Sequence, residues 1–202
     1  MDQKEKAHFR SNQFLVDHFL IAMPGMGDPR FDRSVIYLCS HSPSGAMGIV
    51  INNPLEDLIL NEVLHQLVGA VMPDKPTNYP DGPDQTVYYG GPVERGRGLV
   101  LHSSDYDLEA SMDVSPDIRL TSSIEVLEDI AKAQGPKHAL LALGYAGWSA
   151  GQLEAEIAAN GWLTCKATPD IVFDHENNSK YDRALALLGI DAALLSADAG
   201  HA

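Results

Sequence analysis

The chain has 202 residues, 28 of them Asp or Glu against 14 Lys or Arg, for a formal charge of −14 at pH 7. This length predicts one domain over 1–202, large enough to bury about 70% of its unfolded surface without a disulfide staple. The acidic balance repels phosphate backbones and argues against direct nucleic-acid binding, and no apolar run approaches a membrane span.

Residues 1–18 begin polar and lack the apolar core of a secretory signal. Cys39 and Cys165 are far apart and are expected to be free, buried thiols, so the chain is read as cytoplasmic. Phe14-Leu15-Val16 is expected to dock on the core as a short helix or lead-in. Phe19–Met23, Val35–Cys39 and Ala46–Ile51 are apolar runs of strand length, the last two forming a hairpin. Between the first two lies the charged loop Pro24–Arg33. Its Asp28, Asp32, Arg30 and Arg33 are either surface ion pairs worth little or, at Arg33 beside Ser34, a planar fork that holds an anion or a backbone carbonyl.

Leu60, Val63, Leu64 and Leu67 repeat at helical spacing within Leu55–Val68, and a Pro- and Gly-rich loop follows from Gly69 to Asp84. Thr86–Tyr89 and Leu99–Leu101 read as strands joined by the glycine-rich Gly90–Gly98. Ser111–Val114 and Ile118–Leu120 are candidate edge strands. Ile124, Leu127, Ile130 and Ala131 predict a helix capped by Ser122 or Ser123 and stopped by Gly135-Pro136. His138–Leu143 is a further apolar strand, read as running into a turn over Gly144–Ser149. Ser149 and Gln152 then form a capping box for a helix to about Ala159. Trp162–Cys165 and Ile171–Phe173 read as strands, and Ser179 as the cap of a last helix, Lys180–Leu188, ended by Gly189. The tail beyond Asp191 is expected to fray. This order of strands and helices predicts an α+β, mixed α/β fold.

The segment Gly144–Gln152 is the favoured site. A strand, a glycine-rich turn and a capped helix aim free backbone N–H groups at one point, which attracts anions. Tyr145 and Trp148 offer flat apolar surfaces there. The competing reading has the glycines serving close packing and the aromatics belonging to the core. The segment has neither a Walker ending nor dinucleotide-binding spacing. Cys39 with His41 invites a thiol mechanism, yet in an extended strand the two lie roughly 6–7 Å apart, and such a Cys is more often a small buried hydrophobe. Ser103 with His102, and Ser34 with His41 and Asp28, have hydrolase residue types without a nucleophile-elbow pattern. The eight histidines show no zinc-type spacing, so no metal and no cofactor is expected. Arg95 and Arg97 make a small basic spot.

The wording AMPxxxDPxFxRSVIYLCxHxxxGAMGIVINxP over Ala22–Pro54 resembles the AlgH/YqgE family of bacterial proteins. The resemblance continues in GGPVExxRGLVLHS from Gly90, LGYAGWSAGQLExEIxxNxWL from Leu143 and KYxxALxxLGID from Lys180, covering nearly the whole chain. It implies a bifurcated, partly barrel-like mixed sheet with flanking helices, and by its name a link to transcriptional control. It carries over no established catalytic residue. Two positions depart from its pattern: Ser40, where an acidic residue is usual, and Asn53, where arginine is common. Taken together, these features predict a non-enzymatic protein that binds a small anionic or aromatic ligand or a protein partner. Its candidate binding residues are Arg33, Ser34, His41, Gly144, Tyr145, Gly147, Trp148, Ser149 and Gln152. Transcriptional regulation, direct or indirect, and a thiol- or His-dependent enzyme are the alternatives.

Overall fold

The structure, a computed structural model, describes residues 14–64 and 85–195. Its centre is a 10-stranded sheet. Strand β1 (His18–Ala22) lies between β10 (Trp162–Lys166) and β2 (Val35–Ser42), antiparallel to both. The expected hairpin of β2 with β3 (Gly45–Val50) is present. Next to β3 runs β9 (Ala139–Ser149), followed by β6 (Val93–Ser103), β8 (Ile118–Thr121) and the short β7 (Met112–Asp113).

The sheet forks along β9. The first half of that strand pairs in parallel with β5 (Thr86–Tyr89) through Leu141–Leu143, and its second half pairs antiparallel with β3 through Ala146–Ser149. On its other edge β6 follows β9 from Ala139 to Tyr145. One strand edge is thus divided between two partners, and the sheet curls into a half barrel.

Alternation along the strands sorts side chains into layers, because successive residues face opposite sides. Phe19, Ile21, Val35, Tyr37 and Ile49 meet Tyr88, Leu99, Leu101 and Leu140 inside the curl. Helix α4 (Asn177–Ala186) closes that interior with Tyr181, Ala184 and Leu185. Leu20, Ile36, Leu38 and Val50 face outward and pack beneath α2 (Gln152–Ala158) with Trp148, Leu153 and Trp162. A third layer joins Val87, Val100 and Leu141 to α1 (Ile124–Ala131) and to the helical residues 60–64. Each fully buried Leu, Ile or Val contributes about 1.5–3 kcal/mol relative to exposure.

The structure corrects several expectations. Pro54–Ile59 is a strand, β4, because its backbone is taken up by β5, and helix begins only at Leu60. The expected course of that helix beyond residue 64 and the Gly69–Asp84 loop lie outside the described residues. Val93–Gly98 belongs to β6 and is not a loop. Ile171–Phe173 is not a strand. Thr168 and Pro169 open a short helix there, α3 (Pro169–Val172), with proline at a position that needs no N–H donor. Helix α4 starts at Asn177, so Ser179 lies inside it and donates to the Glu176 carbonyl. Ser123 caps α1 as expected, accepting from the Glu125 N–H.

Candidate functional site

The expected turn over Gly144–Ser149 does not exist: β9 continues through it to Ser149. The backbone thought free to meet an anion is paired with β3 from Ala146 to Ser149. Gly144 sits at the fork with φ +73°, and Gly91 and Val93 press against it. Its role is close backbone approach. Helix α2 begins after Gly151, and Gln152 reaches back to accept from both the N–H and the hydroxyl of Ser149, at 3.1 and 3.0 Å. Half of the capping box is present, without the helix beginning at Ser149.

His41, Ala46 and Trp148 form one cross-strand row beneath α2. Buried His41 has both ring nitrogens committed. Its Nδ1 accepts from the Leu15 N–H at 3.0 Å, which leaves Nε2 to donate to Glu154 Oε1 at 2.9 Å. Trp148 and Trp162 both donate to Glu156 Oε2, each at 2.8 Å, and stand edge to face 6.1 Å apart. Trp148 is therefore a core residue. Tyr145 turns instead toward a depression of about 350 Å³ that Met47, Leu99, Met112, Leu120 and Arg97 also line. Gly147 is exposed, and a Cβ there would stand 3.3 Å from the Tyr145 ring.

A β-bulge between Leu38 and Ser40 separates the supposed thiol–imidazole pair. Cys39 packs inside the curl, where burial pushes its thiol far up, while His41 lies with the layer under α2. The serine readings fare no better. Ser103 Oγ donates to Asp105, while His102 Nδ1 engages the Ser103 carbonyl at 3.0 Å. Among the described residues no group of three or more His, Cys, Asp or Glu side chains is placed to hold a metal ion.

Arg33 and Ser34 stand at the other end of β2, roughly 23 Å from His41 at 3.3 Å per strand residue. They line a polar cleft of about 260 Å³. One wall is the loop before β2, with Arg30 and Asp32; the second is the turn Asn52-Asn53; the third is the start of α4, with Asn177, Asn178 and Tyr181. Arg33 has φ +51°, a conformation that costs a non-glycine residue about 1–2 kcal/mol. Asn52 holds it there. Its amide nitrogen donates to the Arg33 carbonyl at 2.9 Å, and its oxygen accepts from the Val35 N–H at 2.8 Å.

The result is a fixed Arg33 whose guanidinium lies 4.4 Å from the centre of the Tyr181 ring and donates to Asp182 at 3.0 Å. Both members of that ion pair are more than half exposed, so it is worth at most about 1 kcal/mol and Arg33 is readily re-partnered. Ser34 is only 5% exposed, and its hydroxyl has no hydrogen-bond partner. The same holds for the buried Oδ1 of Asn177, whose side chain hydrogen-bonds Tyr88. Behind them Lys180 is fully buried, donating to the carbonyls of Ile51 and Val172 at 2.7 and 3.1 Å. Burial lowers its pKa to about 7.

A family model described as AlgH-like matches residues 19–193. The chain belongs to the AlgH-like family. A UPF0301 protein of Mesorhizobium japonicum is 54% identical over 190 residues, spanning 94% of this chain and 93% of that protein. One from Agrobacterium fabrum is 48% identical, spanning 100% and 97%. The solution structure of the AlgH protein from Pseudomonas aeruginosa superimposes with a TM-score of 0.75 at 46% identity, covering 94% of this chain and 96% of that one. A Corynebacterium diphtheriae protein, at 20% identity and TM-score 0.63 over 85% of each chain, shares the fold. The forked half barrel is thus the AlgH-like fold expected from the sequence motifs.

Sequence reasoning named Arg33 and Ser34 but missed Asn52, Asn177 and Tyr181. Asn52 and Tyr181 stood inside the family stretches INxP and KYxxALxxLGID, a signal that was present without a role attached.

Proposed function

We propose that this AlgH-like protein is a non-catalytic binder of a small anionic ligand, held in the cleft at the start of β2. The observation that carries the reading is the buried, unpartnered Ser34 hydroxyl beside Arg33. An orphaned buried hydroxyl costs about 1–3 kcal/mol, which a bound acceptor recovers. Arg33 supplies a planar fork for an oxyanion, and the N-terminal end of α4 adds the positive end of its dipole. Glu176 at that helix start provides no side-chain cap of its own. Among the described residues no base is hydrogen-bonded to the Ser34 hydroxyl, which favours recognition over reaction.

The two cysteines are free, which supports a cytoplasmic location. Among the described residues no helix is long and apolar enough to cross a membrane. A part in gene control would be indirect, given a net charge of −14. Calorimetric titration with inorganic phosphate and with sulfate tests the reading. Saturable binding that Ser34→Ala weakens about tenfold is expected, whereas no saturation at millimolar anion, or equal affinity in the variant, overturns it.

A further inference from the structure

We infer that the ligand of this cleft is a short hydroxylated phosphate monoester, such as a polyol or sugar phosphate; the inference rests on the anion-binding reading above. The cleft is not uniformly suited to a bare anion. Asp32 lines it beside Arg33, and a carboxylate repels phosphate while accepting hydrogen bonds from hydroxyls. Asn177 Oδ1, buried and unpartnered at the start of α4, is also an acceptor. A fully deprotonated oxyanion does not satisfy it, whereas a ligand hydroxyl does. The exposed amides of Asn53 and Asn178 add groups that both donate and accept.

Donors and acceptors therefore stand side by side: Asp32 adjoins Arg33 and Ser34 in the loop before β2, and Asn177 lies at the start of α4. Arg33 and the Ser34 hydroxyl come from the loop before β2 and the α4 dipole from another wall of the cleft, a set able to serve several oxygens of one phosphate group. Asp32 and Asn177 address the hydroxyls. A nucleotide does not fit this chemistry, because Tyr181, the one aromatic among the described residues of the cleft, has its ring covered by Arg33. Size agrees. The open cleft, about 260 Å³, has room for a phosphoryl group with a short polyol.

Titrations of the full chain with inorganic phosphate, glycerol 3-phosphate, ribose 5-phosphate, glycerate, glycerol and AMP test the inference. Glycerol 3-phosphate or ribose 5-phosphate is expected to bind at least tenfold tighter than inorganic phosphate, with glycerate and glycerol weaker and AMP no tighter than phosphate. Asn177→Ala is expected to remove most of the tenfold preference while leaving phosphate affinity within about twofold. Asn178→Ala, at an exposed position, repeats the test should Asn177→Ala fail to fold. Phosphate and its esters binding equally overturns the inference and leaves anion binding standing. A tighter glycerate, glycerol or AMP also overturns it, and no binding of any probe overturns both readings.

Discussion

Gly90 and Gly144 interlock where the sheet forks: a Cβ on Gly90 would lie 2.2 Å from the Gly144 carbonyl oxygen, and one on Gly144 2.6 Å from the Gly91 carbonyl oxygen. Gly90 also ties the two branches, donating to the Leu143 carbonyl at 2.8 Å and accepting from the Val50 N–H at 2.9 Å. The obstructing atoms are backbone, which cannot swing aside as a side chain tip can. Gly90→Ala and Gly144→Ala are each expected to cost at least about 3 kcal/mol. Gly96→Ala, with nothing within 4 Å of its Cβ, should stay within about 0.5 kcal/mol of wild type. Urea denaturation checks this; matching midpoints for Gly90→Ala and Gly96→Ala would show that the fork tolerates a wider spacing.

Glu156 is the shared acceptor of two indoles, at 2.8 Å from each. Truncation to alanine leaves two part-buried N–H groups without a partner, at about 1–3 kcal/mol apiece. Glu156→Ala should therefore lose about 2–4 kcal/mol and change the emission of Trp148 and Trp162, while Glu156→Gln, which keeps an acceptor oxygen, should lose less. Unaltered fluorescence and stability in the alanine variant would contradict this account of α2.

Lys180 makes stability depend on pH. Its folded pKa of about 7 lies below the 10.5 of an exposed lysine, so between those values the folded protein binds fewer protons than the unfolded chain. Stability from this group rises with pH across that window, and the full cost of burying the charge is present below pH 7. In Lys180→Met the titration is gone, while the Ile51 and Val172 carbonyls lose their donor at every pH. The variant is expected to be a few kcal/mol more favourable relative to wild type at pH 6 than at pH 9. Parallel denaturation curves at the two pH values decide it, a pH-independent difference ruling out a titrating Lys180.

Cys39 and Cys165 should react in a fixed order. Burial pushes both thiols up, but Cys39 is buried while Cys165 is half-buried in β10. Alkylation followed by peptide mass spectrometry is expected to label Cys165 first and Cys39 only on the timescale of unfolding. Rapid neutral-pH labelling of Cys39 would restore the thiol reading.

Short-range chemistry in the sequence determined much of this protein. The apolar runs of β1, β2 and β3 became buried strands because they are apolar on both faces, the β2–β3 hairpin followed from Ser44-Gly45, and Ser123 capped α1. The family motifs carried the forked sheet beyond what periodicity reaches. Where local signals compete, long-range pairing decided. Gly144–Ser149 carries turn residues yet is strand, because β3 lies alongside to take its hydrogen bonds. Leu55–Ile59 falls within the bounds of the helix expected from Leu60, Val63, Leu64 and Leu67, yet is extended against β5. Cys39 and His41 share a face in a regular strand, and only the bulge in the β2–β3 ladder parts them. The cleft itself was half legible. Arg33 and Ser34 declare their chemistry locally, but the strained backbone of Arg33 depends on Asn52, and the Asn177 wall comes from a helix near the end of the chain. Residues that distant in sequence meet only when the half barrel closes under α4, so no local pattern encodes their approach.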